Sequence, residues 1–306
     1  MASTKLSIYS ALAANLLIAA TKFIAGAITN SGSMITEGIH SLVDTINELL
    51  LLLGMHKSKK QPDSAHPFGY GKELYFWSFI VSILIFGLGG GVSIYQGILH
   101  IVHPEQIGNP TVNYIVLGLS ALFEGFSFTV ALKQFNRLRG EQTFWQAIIK
   151  SKDPTTFLVL FEDGADLAGL LIVAIFTYLN VRFHMPYLDG VASVLVGLLL
   201  IGVSSILAHE SRSLLMGEGV TRETKIKISE LVKKDPAVIR VMHILSTYQS
   251  PEEIVLVLIV AFEENLNTKE INEAINRIRD AVKKDFTLVR FVMVQPETIE
   301  GASFIG

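Results

Sequence analysis

The sequence contains no cysteine. That excludes a disulfide framework and every metal site built on thiolates. A metal bound by this chain must be held by histidines and carboxylates. Histidine is scarce, with 8 in 306 residues, and the part after Glu210 holds a single one, His243. Charge is sparse as well. Charged residues make up 17% of the chain, and the formal net charge of −3 carries no signature of nucleic-acid binding. No glycine-rich phosphate loop is present. The His-Glu-x-x-His clamp of a zinc protease is also missing, which removes an intramembrane metalloprotease from consideration.

In place of charge there is apolar sequence. Half of the residues are hydrophobic and the mean hydropathy is +0.46, too apolar for an ordinary soluble protein. A membrane-spanning helix needs about 20 mostly apolar residues. Six stretches qualify: Leu6–Thr29, Ser33–Gly54, Glu73–His100, Thr111–Leu132, Pro154–Asn180 and Tyr187–Ala208. The first is too long for a signal peptide, and no Ala-x-Ala-like site follows it, so it reads as a retained span. Basic residues set the orientation. Lys57, Lys59, Lys60 and Lys72 follow the second span, and Lys133, Arg137, Arg139, Lys150 and Lys152 follow the fourth. The other loops carry almost none. This pattern predicts a multi-pass protein of a cell's inner membrane with both termini cytoplasmic. The stretch "EQTFWQAIIK" reads as an interfacial segment anchored by Trp145.

The chain changes character after about Glu210. From Thr221 it reads helix, strand, strand, helix, strand, with Asp235-Pro236 and Ser250-Pro251 as punctuation. Asn267 with Glu270 predicts a capping box at the second helix. This order predicts a ferredoxin-like α/β domain, both helices on one face. The strand "IVLVLIV" is apolar on both sides, so both faces should be covered. A second copy of the chain is one candidate cover. The expected division is a membrane domain over residues 1–210 and a cytoplasmic dimerisation domain over 211–306.

The second span is the unusual one. It carries Glu37, His40, Asp44 and Glu48 at steps of three, four and four residues, which place all four on one helical face. Ser41 and Asn47 lie beside that stripe. The fifth span answers with Glu162 and Asp166, again four apart, and Asp163 next to them. Ionisable groups inside spans are costly and usually mark ion paths. Two facing clamps, His40 with Asp44 and Glu162 with Asp166, offer four ligands, the number a tetrahedral divalent metal site needs. A purely structural reading would pair the acids with lysine or arginine. Lys22 in the first span can neutralise one of them, but it cannot balance Asp44, Glu162, Asp163 and Asp166. Glu124, midway along the fourth span, reads as an ion-pair partner for Lys22, with a proton-carrying accessory group as the alternative. Glu37 and Glu48 read as cavity-lining. "GLGGG" at Gly87–Gly91 reads as a close-packing surface.

With these residues in view, the sequence resembles the cation diffusion facilitator family of divalent-metal/proton antiporters. The resemblance rests on "ITEGIHSLVDTINELLLLLG", on Asn15 and Lys22, on "HPFGYGK", on Asp189 and on "HESRSLLMGEG". It covers nearly the whole chain and implies six transmembrane helices followed by a ferredoxin-like tail. It implies a transport site at His40, Asp44, Glu162 and Asp166. Glu162 departs from the pattern, since zinc members usually carry histidine there. The "FEDGADLAG" form is similar to the branch that contains a mitochondrial zinc exporter. A second family metal site falls on Asp63, His66 and Tyr70. Tyrosine is a poor zinc ligand at neutral pH, which leaves two readings open: Asp63 and His66 as a weak cytoplasmic capture site, or "HPFGYG" as a plain loop turn. The tail lacks the residues for a full metal cluster. The resemblance therefore implies a homodimer in the bilayer that exports Zn2+ in exchange for protons, with the metal as cargo and no cofactor. Two alternatives stay open: a Mn2+ or Fe2+ exporter, and a non-transporting metal sensor of the same fold.

Overall fold

The computed structural model describes residues 2–104, 110–140, 143–144, 147 and 152–298, with side chains from residue 15 on except at 110, 134, 138, 155 and 156. Trp145, expected to anchor an interfacial segment, lies outside these residues. Contacts divide the chain into two compact units. One comprises Met1–His56 and Leu74–Arg212, and the other comprises Lys57–Glu73 and Ser213–Gly306.

The first unit is helical. α1 spans Ala2–Thr29, α2 Gly32–Ser58, α3 Glu73–Leu84 and α4 Val92–Val102; α5 spans Pro110–Arg139, α6 Pro154–Phe183 and α7 Tyr187–Met216. A π-helical stretch, Ile85–Gly91, joins α3 to α4, so Glu73–Val102 is one continuous rod. Among the described residues this makes six rods. Gly32–Ser58, Glu73–Val102, Thr111–Arg137 and Tyr187–Met216 are long and apolar enough to cross a membrane by length and composition. This is an α-helical, multi-pass membrane protein. Its buried core includes Met34, Leu51, Val81, Phe157, Leu170, Val196 and Leu200, drawn from most of the rods.

Glycine sets one helix–helix distance. A Cβ on Gly97 would come within 2.7 Å of the Gly190 carbonyl oxygen, and one on Gly197 within 2.8 Å of the Gly90 carbonyl oxygen. The α3–α4 rod and α7 therefore touch backbone to backbone, as small residues allow in membranes. Gly90 thus serves the close packing expected of "GLGGG", and the stretch also adopts the rarer π-helical winding.

The second unit holds α8 (Arg222–Val232), β1 (Val238–Ser250), β2 (Glu253–Phe262), α9 (Thr268–Asp285) and β3 (Val289–Glu297). β2 is central, antiparallel to β1 and parallel to β3. The order α-β-β-α-β with this pairing is a ferredoxin-like arrangement. Asn267 caps α9, and Glu270 returns to the Asn267 N–H at 2.8 Å, the capping box expected from the sequence. Ile254, Leu256, Leu258 and Val260 of β2 pack with Ala274, Ile278 and Val282 of α9 and Ile228 of α8 in one core. The other face of β2 is also partly covered, with Val255 and Ala261 buried. Part of its cover comes from the chain itself. Phe68, in the Lys57–Glu73 segment, makes an edge-to-face contact with Phe291, the register partner of Val255, at 5.5 Å between ring centroids.

Candidate metal centre

The site begins with how α2 is held. α1 turns into α2 through Asn30, which sits at φ 52. Asp189, near the start of α7, caps the α2 N-terminus. It accepts from the Ser31 hydroxyl at 3.1 Å and the Ser33 backbone N–H at 3.0 Å, and it also bonds the Ser33 hydroxyl. A carboxylate at a helix N-terminus meets unpaired N–H groups and the positive end of the helix dipole. Asp189 is buried, so this contact anchors α2 firmly to α7.

Two turns into α2 lie His40 and, one turn further, Asp44. Asp166 reaches the same point from α6. One ligand atom from each of these three residues falls within 4.8 Å of the others. His40 Nε2 is 2.7 Å from Asp166 Oδ1 and 3.5 Å from Asp44 Oδ1. All three atoms are buried, and none makes a hydrogen bond among the described residues. The 2.7 Å separation is hydrogen-bond length without hydrogen-bond direction. Buried polar atoms are almost always paired, because leaving one unpaired costs roughly 1–3 kcal/mol. Three such atoms within 4.8 Å of one another form a candidate cation site.

Glu162 lies on the same wall, a turn before Asp166, and its carboxyl is within hydrogen-bonding reach of Asp44. It is held separately: Asn47 donates from Nδ2 to Glu162 Oε1 at 2.7 Å. The tight cluster is therefore His40, Asp44 and Asp166, with Glu162 beside it. Asn47 is fully buried, so its amide fixes the orientation of the Glu162 carboxyl. Its place beside the acidic stripe was visible in the sequence, but its target was not. Asp163 points to another neighbour, accepting from the Ser127 hydroxyl of α5 at 2.8 Å.

Asp44, Glu162, Asp163 and Asp166 line one cavity of about 90 Å³. Its lining also includes Ser41, Glu48 and Leu51 of α2, Glu124 of α5 and Asn15 of α1. Glu37, expected to line the cavity, instead faces Lys22. The Lys22 ammonium is 3.1 Å from Glu37 and 3.1 Å from Glu124, so the ion pair expected with Glu124 forms and includes a second acid.

The loop residues Asp63 and His66 are arranged differently. Asp63 accepts from the Tyr70 hydroxyl at 2.7 Å, the His66 backbone N–H at 2.8 Å and the Lys60 ammonium at 3.1 Å. The Tyr70 hydroxyl above all, with those other donors, holds the Asp63 carboxyl well below the usual carboxylate range. The Lys60 ammonium also lies 4.2 Å from the centre of the Tyr70 ring. In this loop a lysine neutralises the carboxylate.

A multi-pass helical domain built over a buried, convergent histidine–carboxylate set is the construction of a membrane cation-handling protein. The chain belongs to the cation efflux family: the cation efflux transmembrane domain matches residues 8–216. It is 32% identical over 287 residues to the mitochondrial proton-coupled zinc antiporter SLC30A9 of Xenopus laevis, covering 91% of this chain and 51% of the relative. The human protein of that name is 36% identical over 224 residues, covering 72% of this chain and 39% of the relative. The chain thus spans about half or less of the length of these relatives. The manganese efflux system protein MneP of Bacillus subtilis is 25% identical over 284 residues, covering 93% of this chain and 92% of that protein.

Proposed function

We propose that this chain is a secondary transporter that exports Zn2+ from the cytoplasm in exchange for protons. The observation that carries the reading is the convergence of His40 Nε2, Asp44 Oδ1 and Asp166 Oδ1, buried together with no hydrogen bond among the described residues. Imidazole plus carboxylate is a common zinc ligand set. Glu162 supplies the fourth ligand by a small shift of its side chain. Imidazole and carboxylates bind a metal only when deprotonated, so protons and metal compete for the same atoms. That competition is a sufficient physical basis for exchange.

The basic residues that follow the second and fourth spans support an inner membrane with both termini cytoplasmic. The ferredoxin-like tail serves a homodimer, and no nucleic acid takes part.

A manganese or iron cargo is the second reading. One imidazole with three carboxylates is a harder donor set than two of each, and MneP, matched over most of its length, is named for manganese. The affinity order for divalent ions still favours zinc over both. The deciding experiment uses the full chain in proteoliposomes with an imposed pH gradient and a panel of Zn2+, Mn2+ and Fe2+. Zinc flux driven by the gradient supports the reading. Flux of manganese or iron without zinc overturns the choice of cargo, and binding without any flux overturns transport itself.

A further inference from the structure

Lys22 is in an unusual place for a lysine. It is 1% exposed, inside the membrane unit, with its ammonium 3.1 Å from Glu37 Oε2, 2.9 Å from Ser41 Oγ and 3.1 Å from Glu124 Oε1. Three acceptors use all three of its donors. Two carboxylates for one ammonium are more than charge neutrality needs. Each acid also keeps an oxygen, Glu37 Oε1 and Glu124 Oε2, that is buried and has no partner among the described residues. Space beside Glu37 Oε1 is left open by Gly169, three residues after Asp166, where a Cβ would come within 3.3 Å of that oxygen.

This set touches the metal centre. Ser41 follows His40 in the chain, and Ser41 and Glu124 line the same cavity as Asp44, Glu162 and Asp166. We propose that Lys22 is a specificity-determining residue: a tethered cation that fills a second oxygen-rich subsite beside the transport cavity and keeps mobile metal out of it. The proposal rests on the metal-carrying role given above to His40, Asp44 and Asp166. With Lys22 in place, one divalent ion loads per passage. Without it, Glu37, Ser41 and Glu124 offer only oxygen donors, a set suited to hard ions such as Mn2+ or Ca2+.

The test measures equilibrium binding of Mn2+ and Zn2+ to the full chain in detergent, comparing the wild type with Lys22→Met and Lys22→Arg. A third variant, Lys22→Met with Glu37→Gln and Glu124→Gln, removes the lysine and both charges together. Lys22→Met should bind one more equivalent of Mn2+ per chain than the wild type, while Lys22→Arg and the triple variant match the wild type. A merely structural lysine would change stability without adding an equivalent. If Lys22→Met folds poorly, Mn2+ present throughout purification should restore it and chelation should reverse the rescue. Unchanged stoichiometry in folded Lys22→Met overturns the proposal, as does a Lys22→Met protein that Mn2+ cannot rescue while the triple variant folds. Asp44→Ala in the wild-type background separates the two readings. If it removes no equivalent, the metal centre itself is misassigned, whatever Lys22 does.

Discussion

His40 Nε2 lies 2.7 Å from Asp166 Oδ1, and neither atom makes a hydrogen bond among the described residues. Two polar atoms this close, where two helices meet, can share either a proton or a bound cation, which is the competition that the proposed exchange requires. We expect Asp44→Ala and Asp166→Ala each to abolish metal flux in proteoliposomes while the protein elutes as the wild type does on gel filtration. Each loses one ligand of a preformed site, and neither substitution empties a packed apolar core. Flux retained in both variants would sink the assignment.

Glu162 and Asn47 give a paired prediction. Outer hydrogen-bond partners of metal ligands are typically worth about 10–100-fold in affinity. Asn47→Leu removes the donor 2.7 Å from Glu162 Oε1, and should weaken Zn2+ binding by roughly that factor without abolishing it. Glu162→His should keep zinc flux and sharpen zinc over manganese, because it exchanges an oxygen ligand for nitrogen. Unchanged selectivity would mean that Glu162 is not a ligand, and Asp163 would be tested next.

Asp189 is a prediction about stability. Asp189→Ala leaves the Ser33 N–H and one of the Ser31 and Ser33 hydroxyls without a buried acceptor, the other hydroxyl keeping its neighbour at 3.0 Å. Stranding a buried donor costs about 1–3 kcal/mol, so the melting temperature of the detergent-solubilised protein should fall clearly. Asp189→Asn keeps one acceptor oxygen and should recover part of the loss. A melting temperature within error of the wild type in the alanine variant would contradict the anchoring role.

The tail carries a pH prediction. Asp235 accepts two bonds from Arg277, at 2.8 and 2.9 Å, and the guanidinium above all holds its carboxyl below the usual range. A carboxyl lowered by folding adds stability above its unfolded value, about pH 4 for aspartate, and the gain is lost as pH falls through the folded value. Tail stability against urea should therefore decline on acidification below about pH 4, and Arg277→Ala should flatten that decline. Both groups are partly in water, so the effect should be small. Equal acid sensitivity in the variant would argue against the pair.

A fragment from Ser213 onward should fold and dimerise without metal. Its core of Leu256, Leu258, Ile278 and their neighbours is independent of the membrane helices. The side of β2 bearing Val255 loses Phe68 in such a fragment, which leaves apolar surface for a second copy. Analytical ultracentrifugation reads the dimer. Stoichiometric zinc binding by the fragment would contradict the reading of its poor ligand inventory.

What could be read without coordinates was whatever is periodic or local. Apolar length announced the spans, a three-four-four spacing put His40 on the same helical face as Asp44, and the capping box at Asn267 showed itself in four residues. Spacing works there because a helix maps sequence onto faces by itself. Which groups meet across helices was a different matter. Glu37 shared a stripe with His40, yet it turns to Lys22. Glu162 looked equal to Asp166, yet Asn47 holds it beside the tight cluster. Asp189 gave no sign that it would cap α2 from another helix, and Phe68 gave none that it would pack against Phe291. These depend on the rotation and height at which helices and loops dock. Packing against distant partners sets both, and the choice is made only when the whole chain is folded.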